Sequence, residues 1–338
     1  MELTIDDPRI SVAGVAELAH VDGRLRPHRL PRTVDRLSVH PELLAVADMP
    51  AGGRLEFVTD APRLELDVEV TMPEGVSGAT APFDVMVDGR LVRRHLPRSR
   101  GRLVAELGAG EKRVTIWLPQ FGVATIGRLS LPDASRVEPV EPSGRLRWVA
   151  YGSSVTQCEQ AAGPSETWPA LVSADQGWSL TGLGFAGQCH LDAAVARHIR
   201  ATSADLISLC LGINVWGAST FPRRTLGGAV EGFIATVRDG HPRTPLVVIS
   251  PIVSPAREQT PNGDGLTLAE IRGIVHEAIT LRQVRGDSEL LLIDGSQIFG
   301  MQDSSLLVDG LHPGPDGYTV IAERLGPLLA RALDRLPG

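Results

Sequence analysis

Residues 149–156 have the sequence VAYGSSVT, in which a short apolar run ends at a glycine and is followed directly by two serines. An apolar run of this length, bounded by a glycine, is typical of a fully buried strand. The turn after such a strand brings a serine hydroxyl to the edge of a sheet. Because a hydroxyl becomes a nucleophile when a neighbouring base takes its proton, the stretch predicts both a strand and a candidate reactive group.

The rest of the C-terminal half continues this alternation of buried strands and helices. Short apolar runs predict strands at 148–151, 179–183, 206–211, 246–250 and 290–294. Helical periodicity predicts helices at 166–176, 191–202, 227–238, 267–284 and 317–336. This order predicts an α/β fold, in which a five-stranded parallel sheet is covered by helices on both faces.

The first 140 residues have a different pattern, in which apolar and polar residues alternate. The alternating segments lie at 54–58, 63–70, 83–87, 103–107 and 113–118. An Asp-Gly pair at 88–89 follows the third segment, and such a pair between alternating runs is a strong hairpin signal. Short strands at this spacing predict an antiparallel β-sandwich, jelly-roll-like in character. No amphipathic helix is predicted before residue 140.

A proline-rich, polar segment at 131–144 separates the two patterns and is typical of a linker. It divides the chain into an N-terminal sandwich domain, residues 1–140, and a C-terminal α/β domain, residues 145–338. The length of 338 residues also exceeds that of a usual single domain.

The charge and hydropathy patterns exclude two classes of partner. The formal net charge is −7 and the chain has no basic run, whereas nucleic acids are bound through clustered Lys and Arg. No apolar stretch approaches the ~20 residues that span a bilayer, and the acidic residues 1–7 contain no apolar signal segment. We therefore expect no nucleic-acid partner, no membrane partner and a cytoplasmic location.

Cysteine and motif patterns predict no cofactor. Cys158, Cys189 and Cys210 are too few for a disulfide scaffold and lack the CxxC spacing of a zinc site. A Cys158–Cys189 bridge stays open, because both residues lie just beyond predicted active-site turns. No His, Asp or Glu cluster has metal-ligand spacing, and no Gly-rich nucleotide-binding loop is visible, so we predict neither a metal nor a nucleotide.

Candidate catalytic groups lie beyond the ends of four predicted strands. Ser154 follows the first strand, Gly187 the second and Asn214 the third. Asp309 and His312, a carboxylate three residues before an imidazole, lie beyond the fifth. Because ligands of open α/β sheets bind beyond the carboxyl ends of the strands, we expect these four segments to meet at one edge of the sheet.

Four short blocks, in this order along the chain, resemble the SGNH (GDSL-type) hydrolase superfamily. They are GSSVT at 152–156, GFAGQ at 184–188, GIN at 212–214 and DGLHP at 309–313. The chain resembles members with an N-terminal β-sandwich, which implies a flavodoxin-like three-layer α/β/α hydrolase domain. Two positions depart from the family pattern. Ser153 and Val215 stand where the family often has Asp, so two adjacent serines compete for the role of nucleophile, and the register after the glycine favours the second.

The resemblance implies a role for each candidate residue. Ser154 would be the nucleophile, His312 the general base and then the general acid, and Asp309 the group that orients the imidazole. The backbone N–H groups of Ser154 and Gly187, with the side-chain amide of Asn214, would form the oxyanion hole.

Three further residues near these blocks are candidates for lining the substrate site: Phe185, His190 and Trp216. For Phe185 and Trp216, ordinary packing in the core is an equally good interpretation.

The leading functional hypothesis is a serine esterase that works through an acyl-serine intermediate. Its partner would be a small-molecule acyl ester, and the resemblance to two-domain SGNH enzymes suggests an acetylated carbohydrate or another decorated small molecule. The alternative is an acyltransferase that passes the acyl group to an alcohol in natural-product tailoring. A third hypothesis, a non-catalytic binding protein on a hydrolase fold, conflicts with the intact triad. We expect the sandwich to act as a roof or scaffold, and the oligomeric state is not predicted.

Overall fold

Two antiparallel sheets form the N-terminal half of the protein. The computed structural model describes residues 1–33, 39–72, 81–97, 99–140 and 144–334. Within these ranges the strands are β1 Glu2–Leu3, β2 Ser11–Ala13, β3 Glu17–Val21, β4 Arg24–His28, β5 Arg54–Thr59, β6 Arg63–Thr71, β7 Phe83–Val87, β8 Arg90–His95, β9 Arg100–Glu106, β10 Lys112–Trp117, β11 Val123–Ser130 and β12 Val137–Pro139. One sheet has the order β3-β4-β11-β6-β9, with β1 beside β11, and the other has the order β12-β5-β10-β7-β8, with β2 beside β5.

Alternating burial holds the two sheets together. In β6 the apolar residues at 64, 66, 68 and 70 are buried, whereas the polar residues between them are only half-buried. The buried set shares one apolar core with side chains of the other sheet, among them Phe57 on β5 and Phe83 on β7. Because each strand turns one row of side chains inward, the predicted β-sandwich is confirmed.

A short helix that the sequence pattern did not predict, α1 (Pro41–Ala47), lies between β4 and β5. Pro41 begins the helix, where a missing N–H removes no intrahelical bond. Leu43 and Ala47 are buried one turn apart, and they pack in the hydrophobic cluster of the C-terminal half rather than in the sandwich. Two buried positions in seven residues are too few to show a helical period.

Part of the predicted linker is also a strand, because β12 pairs with β5 at the edge of the second sheet. The division of the chain near residues 140–145 stays a prediction.

A five-stranded parallel sheet forms the C-terminal half, as predicted. Its strands are β13 Arg147–Gly152, β14 Ser179–Gly184, β15 Leu206–Cys210, β16 Leu246–Ile249 and β17 Leu290–Ile293. Their order is β14-β13-β15-β16-β17, and every neighbouring pair is parallel. The direction of winding therefore reverses between β13 and β15, and the carboxyl ends of strands at such a switch point form a binding crevice.

Helices cover both faces of this sheet. After α1, the described helices are α2 Ser154–Gln157, α3 Trp168–Gln176, α4 Ala193–Ala201, α5 Ile213–Ala218, α6 Arg223–Arg238, α7 Leu268–Val284, α8 Gly295–Ile298 and α9 Pro315–Leu333. Helices α4, α6 and α7 pack on one face, while α3 and α9 pack on the other. These three layers confirm the α/β/α prediction. No helix within the described ranges combines enough length and apolar character to cross a lipid bilayer.

Buried charged side chains join the sandwich to the parallel sheet. Asp84 on β7 is fully buried and accepts hydrogen bonds from Arg94 at 2.7 Å and from the Ser165 hydroxyl at 2.7 Å. Arg94 also donates to Glu166 at 2.6 Å. Arg54 on β5 donates to the backbone of β14 at 2.8 Å. Because a buried charge is costly unless it is paired and hydrogen-bonded, these contacts specify how the two halves dock.

Candidate active site

The turn after β13 separates the positions of the two adjacent serines. Ser153 is the N-cap of α2, and its hydroxyl accepts a hydrogen bond from the Val155 N–H at 3.2 Å. Ser154 begins the helix, where the first N–H groups have no intrahelical acceptor. A Cβ at Gly152 would lie 2.2 Å from Thr156 Oγ1, so a larger residue does not fit before this turn.

The hydroxyl of Ser154 faces the histidine loop, which we define as residues 307–313. Ser154 Oγ lies 2.8 Å from His312 Nε2, and His312 Nδ1 lies 2.7 Å from Asp309 Oδ2. An ionised carboxylate only accepts hydrogen bonds, so Nδ1 carries the proton and Nε2 presents a lone pair to the serine. The three groups predicted from distant segments therefore meet in one continuous relay.

Hydrogen bonds from its own loop hold Asp309. Its Oδ1 accepts the N–H groups of Leu311 at 3.0 Å and His312 at 2.8 Å. Partial burial by itself raises the pKa of Asp309, but the hydrogen bonds and the nearby imidazole outweigh it and lower this pKa to about 2. Asp309 is thus a carboxylate at neutral pH.

The histidine loop is also fixed to the rest of the α/β half. Ser254, which is fully buried, donates its hydroxyl proton to the Gly310 carbonyl at 2.7 Å. The Val308 N–H donates to the His312 carbonyl at 2.8 Å. Sequence reasoning missed Ser254, because a serine beyond β16 carries no motif signal.

Glu159 is a second carboxyl group near this relay. Burial is the largest influence and raises the pKa of Glu159, with the neighbouring His312 lowering it and Asp309 raising it. It follows the turn of Ser154 by five residues, and sequence reasoning did not single it out.

The β14–α4 loop, residues 185–192, and helix α5 bring two more predicted residues to the same edge. Gly187 has φ +70°, a conformation that glycine adopts without strain. Its carbonyl accepts a hydrogen bond from His190 Nε2 at 2.9 Å. Asn214 Oδ1, on α5, accepts the Cys189 N–H at 2.9 Å. Because the amide oxygen is engaged in this way, the Nδ2 group of Asn214 is the end that is left to donate to a ligand.

The three predicted substrate-lining residues lie in different environments. Phe185 is fully buried at the start of the loop and packs in the core of the α/β half, with the guanidinium of Arg29 4.7 Å from its ring centre. His190 is half-buried and holds Gly187, as described above. Trp216 is half-buried, and the guanidinium of Arg257 lies 5.2 Å from its ring centre. A lining role for these residues stays a prediction, and the full burial of Phe185 favours the alternative of core packing.

The possible Cys158–Cys189 bridge is not formed, since all three cysteines are free. Burial raises the pKa of Cys189 to about 12 and that of Cys210 to about 12, and it raises the pKa of Cys158 well above its ordinary value. A protonated, buried thiol is a poor nucleophile. Within the described ranges, no group of three His, Cys, Asp or Glu side chains has the geometry to hold a metal ion.

Comparison with known families agrees with this arrangement. Residues 146–330 match the model of the GDSL-like Lipase/Acylhydrolase family, and residues 10–127 match the SsfX3 N-terminal domain. The chain belongs to the GDSL-like lipase/acylhydrolase family. As a GDSL-like enzyme it is an esterase or an acyltransferase, which confirms the predicted enzyme class. No curated protein sequence is significantly similar to it.

Solved structures of this GDSL-like architecture include both kinds of enzyme. A salicylyl-acyltransferase, SsfX3, from a tetracycline biosynthetic pathway is 29% identical over 100% of this chain and 98% of that chain, with a TM-score of 0.91. A putative GDSL-like lipase from Bacteroides ovatus is 19% identical over 99% and 98% of the two chains, with a TM-score of 0.83. A family two carbohydrate esterase from Cellvibrio japonicus is 19% identical over 99% and 98%, with a TM-score of 0.67. The similarities to the last two structures, each 19% identical, show a shared fold.

Proposed function

We propose that this GDSL-like enzyme is a serine ester hydrolase in which Ser154, His312 and Asp309 form the catalytic triad. The observation that carries the proposal is the relay of 2.8 Å and 2.7 Å contacts that joins the three side chains. The low pKa of Asp309 supports it, because a permanent carboxylate orients the imidazole and stabilises its charged form.

The reaction proceeds in two balanced halves. Ser154 Oγ attacks the acyl carbon while His312 takes the serine proton, and the resulting oxyanion is stabilised by N–H donors from Ser154, Gly187 and Asn214. Collapse of this intermediate breaks the ester C–O bond, and His312 returns the proton to the leaving alkoxide. Water then attacks the acyl-serine in the same manner, so that a carboxylic acid is released and the serine is regenerated.

Access of water to the base favours hydrolysis. The Ser154 residue is only 7% exposed, whereas the His312 side chain is 21% and the Asp309 side chain 52% exposed. Water therefore reaches the imidazole from outside after an acyl group covers the serine. The narrow exposure of the nucleophile favours small acyl groups, such as the acetyl ester of a carbohydrate or another small molecule.

Acyl transfer is the second candidate, and one observation favours it. The chain is 29% identical over its whole length to a salicylyl-acyltransferase, with both domains included. An alcohol in the place of water would attack the acyl-serine and carry the acyl group away as a new ester. This outcome requires that the acceptor excludes water from the site.

Turnover of p-nitrophenyl acetate by the wild type and two serine variants tests the proposal. We expect Ser154→Ala to lose at least about 10⁴-fold in kcat, because no other group forms the acyl-enzyme. Ser153→Ala is the matched control. It removes only a helix cap, which costs about 1 kcal/mol of stability, and we expect its kcat to stay within about tenfold of the wild type.

Unchanged turnover in Ser154→Ala would contradict the assignment of the nucleophile. Mass spectrometry of the products with a series of alcohol acceptors separates the two candidate functions. Free acid as the sole product at saturating acceptor argues for hydrolysis, and acylated alcohol argues for transfer.

A further inference from the structure

The N–H group of Gly187 has its direction specified by the two peptide units beside it. On one side, the Ala186 N–H donates to Gln157 Oε1 at 2.9 Å. On the other side, the Gly187 carbonyl accepts the hydrogen bond from His190. Because a peptide unit is planar, fixing both neighbours leaves the unit between residues 186 and 187 little freedom to turn. The donor direction of Gly187 therefore depends on Gln157.

Gln157 connects three parts of the molecule. It lies in α2, three residues after Ser154, and is 1% exposed. Its Oε1 accepts from the β14–α4 loop, while its Nε2 donates to the Gln120 carbonyl, in the sandwich, at 3.0 Å. Both partners are backbone groups of fixed polarity, so the amide has only one satisfactory orientation. One buried side chain thus links the nucleophile helix, the β14–α4 loop and the sandwich.

Arg29 holds the same loop from the sandwich side. Its guanidinium donates to the Met49 carbonyl at 2.5 Å, to the Val46 carbonyl at 2.6 Å and to the Gly184 carbonyl at the end of β14. It also stacks on Phe185, the first residue of the loop. Burial lowers the pKa of Arg29 to about 9, and no carboxylate hydrogen-bonds to it among the described residues. A buried cation with backbone acceptors has a strict geometry, because each lost acceptor leaves charge unsolvated.

We propose that the sandwich is part of the apparatus that positions the oxyanion donor of Gly187, acting through Gln157 and Arg29 as positioning residues. This inference rests on the proposed function, since it assigns Gly187 N–H to the oxyanion. Catalysis by pre-aimed donors is sensitive to displacements of about 1 Å, which cost about 10²-fold in rate. The sandwich thereby contributes to kcat although it supplies no group that touches the reacting atoms.

The test compares p-nitrophenyl acetate with p-nitrophenyl thionoacetate, whose intermediate carries the charge on sulfur. A sulfur anion is a weaker hydrogen-bond acceptor, so the ratio of the two kcat values reports the oxyanion donors specifically. We expect Gln157→Met, which has a similar volume but no amide, to lower kcat for the oxygen ester tenfold to a hundredfold. In this variant, we expect the ratio of kcat for the oxygen ester to kcat for the thiono ester to fall about tenfold. We expect KM and the pH profile of kcat/KM to stay unchanged.

Gln188→Met is the matched control. Gln188 lies in the same loop and also bonds to the N-terminal half, through Glu42 of α1 at 2.8 Å, but its side chain holds no backbone group of the loop. We expect this variant to keep the wild-type ratio. A wild-type ratio in folded Gln157→Met, or an equal fall of the ratio in Gln188→Met, overturns the inference.

Hydrogen exchange in the wild-type protein provides a second measurement, which does not depend on a variant that folds. The Ala186 amide is expected to exchange slowly because Gln157 accepts a hydrogen bond from it, and rapid exchange overturns the inference.

The Ser154→Ala variant distinguishes a failure of this inference from a failure of the proposed function. If Ser154→Ala retains turnover, the proposed function is wrong and the inference falls with it. If Ser154→Ala is inactive and Gln157→Met keeps the ratio, only the positioning role is wrong.

Discussion

The two loops that meet at Ser154 are supported in different ways. The histidine loop is braced within the α/β half, by the Ser254 bond to Gly310 and by the bonds that Asp309 makes to its own loop. The β14–α4 loop also depends on the sandwich, through Arg29 and through Gln157, a residue of α2 whose amide bonds to the sandwich as well. The acid–base function thus depends on local contacts, whereas the proposed oxyanion donor depends on how the two halves dock.

Because of this difference, we expect proton transfer and oxyanion stabilisation to respond to different substitutions. A histidine loop with its own hydrogen bonds keeps its geometry when the sandwich shifts. A loop held by buried contacts between the two halves moves with the sandwich, because packed interfaces transmit small displacements. Substitutions in the sandwich should therefore change oxyanion stabilisation before they change proton transfer, and the following experiments test this division.

The largest effect is expected for Asp309→Asn in the histidine loop. The neutral amide neither holds the required tautomer of His312 nor stabilises the imidazolium, so kcat falls by about 10³–10⁴-fold. Asp316→Asn, an exposed change in the first turn of α9, is the control and keeps wild-type kinetics. The pH profile gives a second check. Since the pKa of Asp309 is about 2, activity lost on acidification above about pH 4 does not come from this carboxylate.

A smaller loss is expected for Asn214, on the oxyanion side. Asn214→Ala removes one donor and lowers kcat by about 10²–10³-fold, with little change in KM. Asn214→Asp keeps the acceptor for the Cys189 N–H and so preserves the loop, but its carboxylate repels the oxyanion. We expect the Asp variant to be at least as slow as the Ala variant. Near-wild-type kcat in Asn214→Asp would show that this side chain supplies only structure.

Arg29→Met tests the contact between the sandwich and the loop through stability. The substitution removes the guanidinium donors of the Val46, Met49 and Gly184 carbonyls, of which Val46 keeps the backbone N–H of Met49. We expect the free energy of unfolding to fall by about 3 kcal/mol. Urea unfolding followed by tryptophan fluorescence measures this change. Arg32→Met, an exposed change on the same segment, is the control, and an equal loss in both variants would contradict a specific role for Arg29.

The last effect, which appears only on acidification, concerns His198 in α4, the helix that follows the β14–α4 loop. Burial lowers the pKa of His198 from its ordinary value of 6.5 to about 4. The unfolded chain therefore takes up a proton more readily, and the contribution of His198 to stability, complete above pH 6.5, is lost as the pH falls toward 4. Thermal unfolding between these pH values should show a shallower decline in His198→Gln than in the wild type. His20→Gln, at an exposed position, should leave the decline unchanged.

Local patterns in the sequence determined the architecture and the chemistry of the candidate site. Period-two alternation predicted the sandwich, and buried runs separated by helical periods predicted the parallel sheet. The positions of Ser154, Asn214 and His312 followed from the same patterns, because the end of a parallel strand defines where its next loop lies. Strands β1–β4, β11 and β12 and the short helices α1, α2, α5 and α8 were missed, since the form of such short or irregular segments depends on the surfaces that they pack against.

Only the tertiary structure decided which serine faces the base and how the β14–α4 loop is held. Ser153 and Ser154 are adjacent residues of the same type. The structure distinguishes their positions, because Ser153 is the N-cap of α2 and Ser154 is its first residue. Gln157 bonds to a group 37 residues away, and Arg29 bonds to one 155 residues away. Local propensity encodes backbone form, whereas contacts between distant segments exist only after two folded halves dock and bury them together.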